Sequence, residues 1–353
     1  MARFTFQSVA PTSVVQSGTL PAEASSPRRR SMGSPFRLLG LLSLALALGL
    51  VLPTVGGTAQ EEEEPEIPKP EAVTLETKDH LRLQAMWYQG LGGKEAIPFI
   101  MLHDWDGAKE DYDHLALEMQ KLGHCVIVPD LRGHGGSKMF AGATEELDRE
   151  RMNGAAFLAT SLDVEACKKF LLEKNNEGLL NIDMLTVVAA GKTCIVATKW
   201  AIADWAYPTL GGQRQGQDVK ALVFLSPERR FKGTNMLREM RHPLISGQNI
   251  TPLSLLIAYG LQDRDSKKEA ETIHEMLERT RGKLDLEGKS DQERNRLVTE
   301  KQDLFLWGFD VEPQGAALVQ PNANLRLPLN IGKFVHFRLT AKESNFPWMV
   351  RER

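Results

Sequence analysis

The stretch 181-NIDMLTVVAAGKTCIVATKWAIADW-205 decides the fold. Residues 184–189 form an apolar run of strand length, rich in β-branched side chains. Ala190-Gly191-Lys192 is a corner of small residues, and residues 193–203 have helical spacing. A strand, a sharp turn and a helix therefore follow one another within twenty-five residues. A buried parallel strand feeding a helix in this way is the repeating unit of a mainly parallel sheet.

Outward from this unit the same alternation continues. Residues 97–102 read as a buried strand, followed by His103-Asp104-Trp105-Asp106-Gly107 and an amphipathic helix over 108–122. Residues 125–128 are a further strand, ending in the glycine-rich loop Pro129-Asp130-Leu131-Arg132-Gly133-His134-Gly135-Gly136-Ser137. Residues 161–172 predict a helix, and 219–225, 253–259 and 304–309 predict strands. Residues 73–88 read as a β-hairpin turning at Lys78-Asp79. A helix over 266–281 is expected to start on a capping box of Ser266 and Glu269. Residues 140–153 and 282–302 are polar and expected at the surface, and the tail is expected to pack back as a closing helix. Only about 27 residues separate the strands at 219–225 and 253–259, too few for a separate lid domain. In such sheets ligands bind beyond the carboxyl ends of the strands.

IPFIMLHDWDG (97–107) and VIVPDLRGHGGS (126–137), then the corner at 189–193, VKALVFLSPE (219–228) and LLIAYGLQD (255–263), resemble the α/β-hydrolase family in order and spacing. The resemblance implies the α/β-hydrolase fold: a mainly parallel sheet with helices on both faces and little or no lid. It divides the chain into a domain over residues 72–320 and a closing segment over 321–353.

That family presents its nucleophile in a G-x-S-x-G turn, with a histidine base, an acid that orients the base, and two backbone N–H donors. Here the five places of the turn hold Ala189, Ala190, Gly191, Lys192 and Thr193. The nucleophile position is Gly191, which has no side chain to form an acyl intermediate. Thr193 and Cys194 lie inside the helix and are rotated away from the corner. Gly260-Leu261-Gln262-Asp263 matches the acid turn, so Asp263 is the equivalent acid and Asp265 the second choice. An aspartate before a helix also commonly caps that helix. The histidine position falls on Gln314, whose amide cannot cycle protons near neutral pH. His336 is the single later histidine. The two backbone donors correspond to Lys192 and Trp105 and survive any side-chain change. With the Lys192 ammonium they could receive a small anionic or carbonyl ligand; alternatively, Asp104 or Asp106 neutralises Lys192.

Gly191-Lys192-Thr193 also matches the end of a phosphate-binding P-loop, but the glycine needed five residues earlier is Thr186. No histidine–carboxylate spacing supports zinc, and no cofactor is implied.

Arg28, Arg29, Arg30 and Arg37 precede an apolar run over 38–52, and Gly57 and Ala59 suit cleavage before Gln60. Residues 1–59 therefore read as an export signal with an upstream extension, Met32 being an alternative start. The product would be periplasmic or extracellular. A membrane anchor through 38–52 is the alternative, although fifteen residues are short of the roughly 20 a span needs. Residues 60–71 form an acidic linker. Five of the 43 basic and one of the 46 acidic residues precede residue 60, leaving 38 against 45 and a net charge of −7. That balance argues against a nucleic-acid partner, since phosphate binding needs a concentrated basic face. Cys125, Cys167 and Cys194 read as buried thiols rather than a disulfide framework.

Three functions follow. The first is an exported, hydrolase-like binding or scaffolding module without hydrolase activity. The second is a working esterase or peptidase that uses other residues. A non-hydrolytic enzyme such as a lyase, using the anion pocket, is a third. Gly191 with Gln314 favours the first.

Overall fold

A computed structural model describes residues 66–210, 213–248 and 250–351. The readings placed on residues 1–59 and on the first half of the acidic linker, 60–65, lie outside the described residues. No described helix is long and apolar enough to cross a membrane.

Eight strands form one sheet: β1 (Glu71–Glu76), β2 (Arg82–Tyr88), β3 (Pro98–Leu102), β4 (Cys125–Pro129), β5 (Leu185–Ala190), β6 (Val219–Leu225), β7 (Ser254–Gly260) and β8 (Leu304–Phe309). Their order across the sheet is β1-β2-β4-β3-β5-β6-β7-β8. The β1–β2 and β2–β4 pairs are antiparallel, and all pairs from β4 to β8 are parallel. β5 lies at the centre, every residue buried.

The apolar runs explain the layering. Alternate side chains of a strand leave opposite faces, so a strand covered on both sides reads as a near-continuous apolar run. Val187 and Ala189 of β5 face one core with Ile100, Leu102, Leu222 and Ile257. The long helices closing that core are α2 (Ser161–Asn176), α3 (Cys194–Ala206) and α4 (Arg264–Arg281). Val188 and Ala190 face the other core with Phe99, Met101, Val223 and Leu256. It is covered by α1 (Asp113–Lys121) and α6 (Leu327–Arg338), the closing helix expected from the tail. The charged segment after α4 contains a helix the sequence reading did not foresee, α5 (Asp291–Lys301). Its one buried side chain is Val298, and Ser290 with Glu293 forms its capping box. With so little apolar signal, the cap was the readable mark. All three cysteines are buried and free.

Opposite the carboxyl edge of the sheet, a buried charge network ties the tail to the core. The Lys168 ammonium of α2 pairs with Asp204 and lies 2.8 Å from Asp218. Arg351 reaches Asp183 at 2.9 Å and Asp218 at 2.7 Å. Each charge has an opposite partner, the condition under which buried ions are tolerated.

Candidate functional site

β5 runs out at Ala190 in extended backbone, and Gly191 turns the chain with φ +50° into the short helical turn that opens α3. That conformation is strained for any residue with a Cβ. Space forbids a side chain as well. A Cβ at position 191 would lie 2.5 Å from all three atoms of the Asp104 carboxyl group. The volume in which a nucleophile would stand is filled from the loop after β3.

Asp104 Oδ1 accepts the backbone N–H of Lys192 at 2.8 Å and that of Trp105 at 2.7 Å. These are the two donors expected to hold an oxyanion. They are satisfied by the chain's own carboxylate, a charge-assisted arrangement. Burial raises the Asp104 carboxyl above its ordinary range, opposed by the Lys192 N–H, the Lys192 ammonium and the Trp105 N–H. The Asp104 backbone is pinned independently. Its carbonyl accepts the N–H of Gly107 at 2.9 Å and faces His103 Nδ1 at 2.7 Å. His103 Nε2 accepts the Leu131 N–H at 3.0 Å, which assigns the proton to Nδ1. Burial lowers the His103 ring to about 4, so it stays neutral at pH 7.

The Lys192 ammonium does not extend freely into solvent. It lies 2.5 Å from Asp106 and 3.8 Å from both Asp104 and Glu228. Burial raises the Glu228 carboxyl, opposed by Lys192 and reinforced by Asp104. A cavity of about 490 Å³ opens here, lined by Asp104, Asp106, Gly191, Ser226, Glu228 and Gln314 among others.

The structure thus brings Gly191 and Gln314 to one cavity. The Gln314 amide is fully engaged there. Its Oε1 accepts Ser226 Oγ–H at 2.6 Å and the Gly260 N–H at 3.2 Å. Its Nε2 donates to the carbonyls of Glu312 at 3.0 Å and Gly260 at 3.2 Å. Gly260 leaves room for this approach, since a Cβ there would run into the Gln314 amide.

Asp263 is not among the lining residues. Its Oδ1 accepts the N–H groups of Asp265 at 2.8 Å and Ser266 at 3.1 Å, capping α4. The expected box of Ser266 and Glu269 is corrected accordingly: α4 starts two residues earlier, and Glu269 instead pairs with Arg229. Asp263 is the better cap because its β-region backbone aims the carboxylate at two free N–H groups.

Thr193 and Cys194 are buried and point away from the cavity. Thr193 Oγ1 donates to the carbonyl of Ala190 at 2.8 Å, and Cys194 Sγ lies 3.3 Å from that of Ala189. Burial pushes the Cys194 thiol well up, which makes it inert. Three residues escaped the sequence reading of the site. Asp104 was seen only as a neutraliser of Lys192, although its position beside the expected donor Trp105 was the available signal. Ser226 (φ +48°) and Glu228 follow β6, and nothing in VFLSPE marks them out.

No protein-family model matches the chain, and no curated protein matches it. Solved structures do. The acylaminoacyl peptidase of Pyrococcus horikoshii is 14% identical with a TM-score of 0.50, covering 78% of this chain and 42% of that one. The thermophilic carboxylesterase EstE1, cloned from a metagenomic library, is 13% identical with a TM-score of 0.50, covering 78% of this chain and 91% of that one. Likeness at this level of identity speaks for architecture, because function belongs to the site. Together with the sheet order and the glycine corner, it shows that the chain is an α/β-hydrolase-fold protein.

Proposed function

We propose that the chain is an α/β-hydrolase-fold protein without hydrolase activity, serving as a binding or scaffolding module through the cavity at the carboxyl edge of its sheet. One observation supports this most strongly. The Asp104 carboxylate takes both backbone donors and the space a nucleophile would need. Acyl transfer requires a nucleophile, a proton acceptor and an open oxyanion site, and each of the three is compromised. The hydroxyl of Ser226 lines the cavity, yet its partner is the Gln314 amide oxygen, which cannot take a proton away.

The binding role rests on what remains: a cavity of small-molecule size with several carboxylates at its wall, three of which, Asp104, Asp106 and Glu228, lie within 4 Å of the Lys192 ammonium. Its ligand is proposed to be a small anion or carbonyl compound that competes for the two N–H groups. Export is proposed on the basic and apolar segment before residue 60, and N-terminal sequencing of the mature protein tests it, with Gln60 as the expected first residue. Steady-state hydrolysis of p-nitrophenyl acetate and butyrate tests the inactive reading. No turnover above buffer is expected; turnover abolished by Ser226→Ala would overturn it.

A further inference from the structure

Asp104 is held in an unusual way. Its backbone carbonyl is tied to Gly107 and His103, and those ties do not involve the carboxylate. The carboxylate rests on two backbone N–H groups through one oxygen. Its other oxygen lies 3.8 Å from the Lys192 ammonium, which could receive it after a rotation about the side chain alone. The side chain is 29% exposed, on the side of the cavity.

We propose that Asp104 is an autoinhibitory plug: a built-in carboxylate that occupies the Lys192 and Trp105 amides and that a small external carboxylate can replace. The proposal deepens the binding reading of this cavity and rests on it, by naming what an incoming ligand must displace. The chemistry is an exchange of one carboxylate for another on the same two donors, with no bond made or broken. Burial, which raises the Asp104 carboxyl, works in the same direction by disfavouring its charged form in place.

The test is chemical rescue in the full chain. Asp104→Ala should lose thermal stability, because two N–H groups lose their acceptor. Sodium formate or acetate should then raise its Tm saturably, by on the order of a few degrees, while sodium chloride at equal ionic strength does not. Wild-type protein and Asp104→Asn, which keeps an acceptor oxygen, should respond at least about tenfold more weakly, by the same linkage. A rise that is equal in all three proteins, or absent from Asp104→Ala, overturns the proposal. Should Asp104→Ala fail to fold, the wild-type ¹⁵N amide resonances of Lys192 and Trp105 decide. They should titrate together with one midpoint above the ordinary aspartate range and stay still in Asp104→Asn; independent behaviour overturns the proposal. Failure of either test leaves the esterase assay untouched, so the plug and the loss of hydrolysis stand or fall separately.

Discussion

The carboxyl group of Asp104 stands 2.5 Å from the point where a Cβ on Gly191 would lie, so the two positions cannot both carry a side chain. Gly191→Ser therefore meets both a left-handed backbone at φ +50° and a steric collision. It should cost about 2–5 kcal/mol in urea unfolding, the sum of αL strain and overpacking. In an Asp104→Ala background the further cost of Gly191→Ser should shrink to roughly the strain alone, about 1–2 kcal/mol. Additive single and double variants would show that the two residues do not compete for space. The double variant should still lack esterase activity, because Gln314 supplies no base.

Gln314 is a structural tie across β6, β7 and the loop after β8. Gln314→Ala strands Ser226 Oγ and both backbone groups of Gly260. A loss of about 1–3 kcal/mol is expected, the cost of unsatisfied buried polar groups. A change below a few tenths of a kcal/mol, read by denaturant midpoint at constant slope, would mean that water substitutes for the amide.

His103 gives the fold an acid-sensitive point. Its ring is fully buried and titrates near 4 when folded, against 6.5 when free, because burial disfavours the charged ring. A depressed histidine means the unfolded chain binds the extra proton between those values. Stability contributed by this group is therefore complete above pH 6.5 and falls as pH drops toward 4, by on the order of 3 kcal/mol. Unfolding free energies measured across pH 4–6.5 should show this slope, and His103→Gln should lose that part of it. An unchanged slope in the variant would place the proton elsewhere.

The Lys168 ammonium is wholly enclosed between Asp204 and Asp218. Lys168→Met leaves two buried carboxylates short of a cation, since Arg351, shared with Asp183, reaches Asp218 but makes no ion pair with Asp204. Removing one partner of a buried ion pair costs about 3–5 kcal/mol. Thermal or denaturant unfolding checks this, and a neutral or stabilising result would show that solvent already reaches the network.

How much of this was legible in the sequence follows from which signals are local. Strand β6 at Val219–Leu225 and strand β8 at Leu304–Phe309 fall where their apolar runs placed them, because strands of a covered parallel sheet read as near-continuous apolar runs, interrupted in β6 only by the half-buried Lys220. β5 begins one residue later than expected, since Ile182–Met184 forms a helical turn closed by Asn181, a cap the apolar pattern hides. The missing side chains at Gly191 and Gln314 could be read directly, as identities need no geometry. The occupant of the empty corner could not. That Asp104 accepts from a residue 88 positions away depends on β3 lying beside β5, a fact of sheet order. The capping of α4 by Asp263 was one of two stated readings of that residue, and the structure displays it.

One measurement bears most directly on the claim that no nucleophile is displayed at the corner: intact-mass analysis of the native full-length protein after exposure to a fluorophosphonate probe. The unmodified mass should persist at all probe concentrations, with Gly191 bare and the two amides held by Asp104. Stoichiometric addition of one phosphonyl group to the folded protein, lost on prior heat denaturation and mapped to a residue lining the cavity, would contradict it.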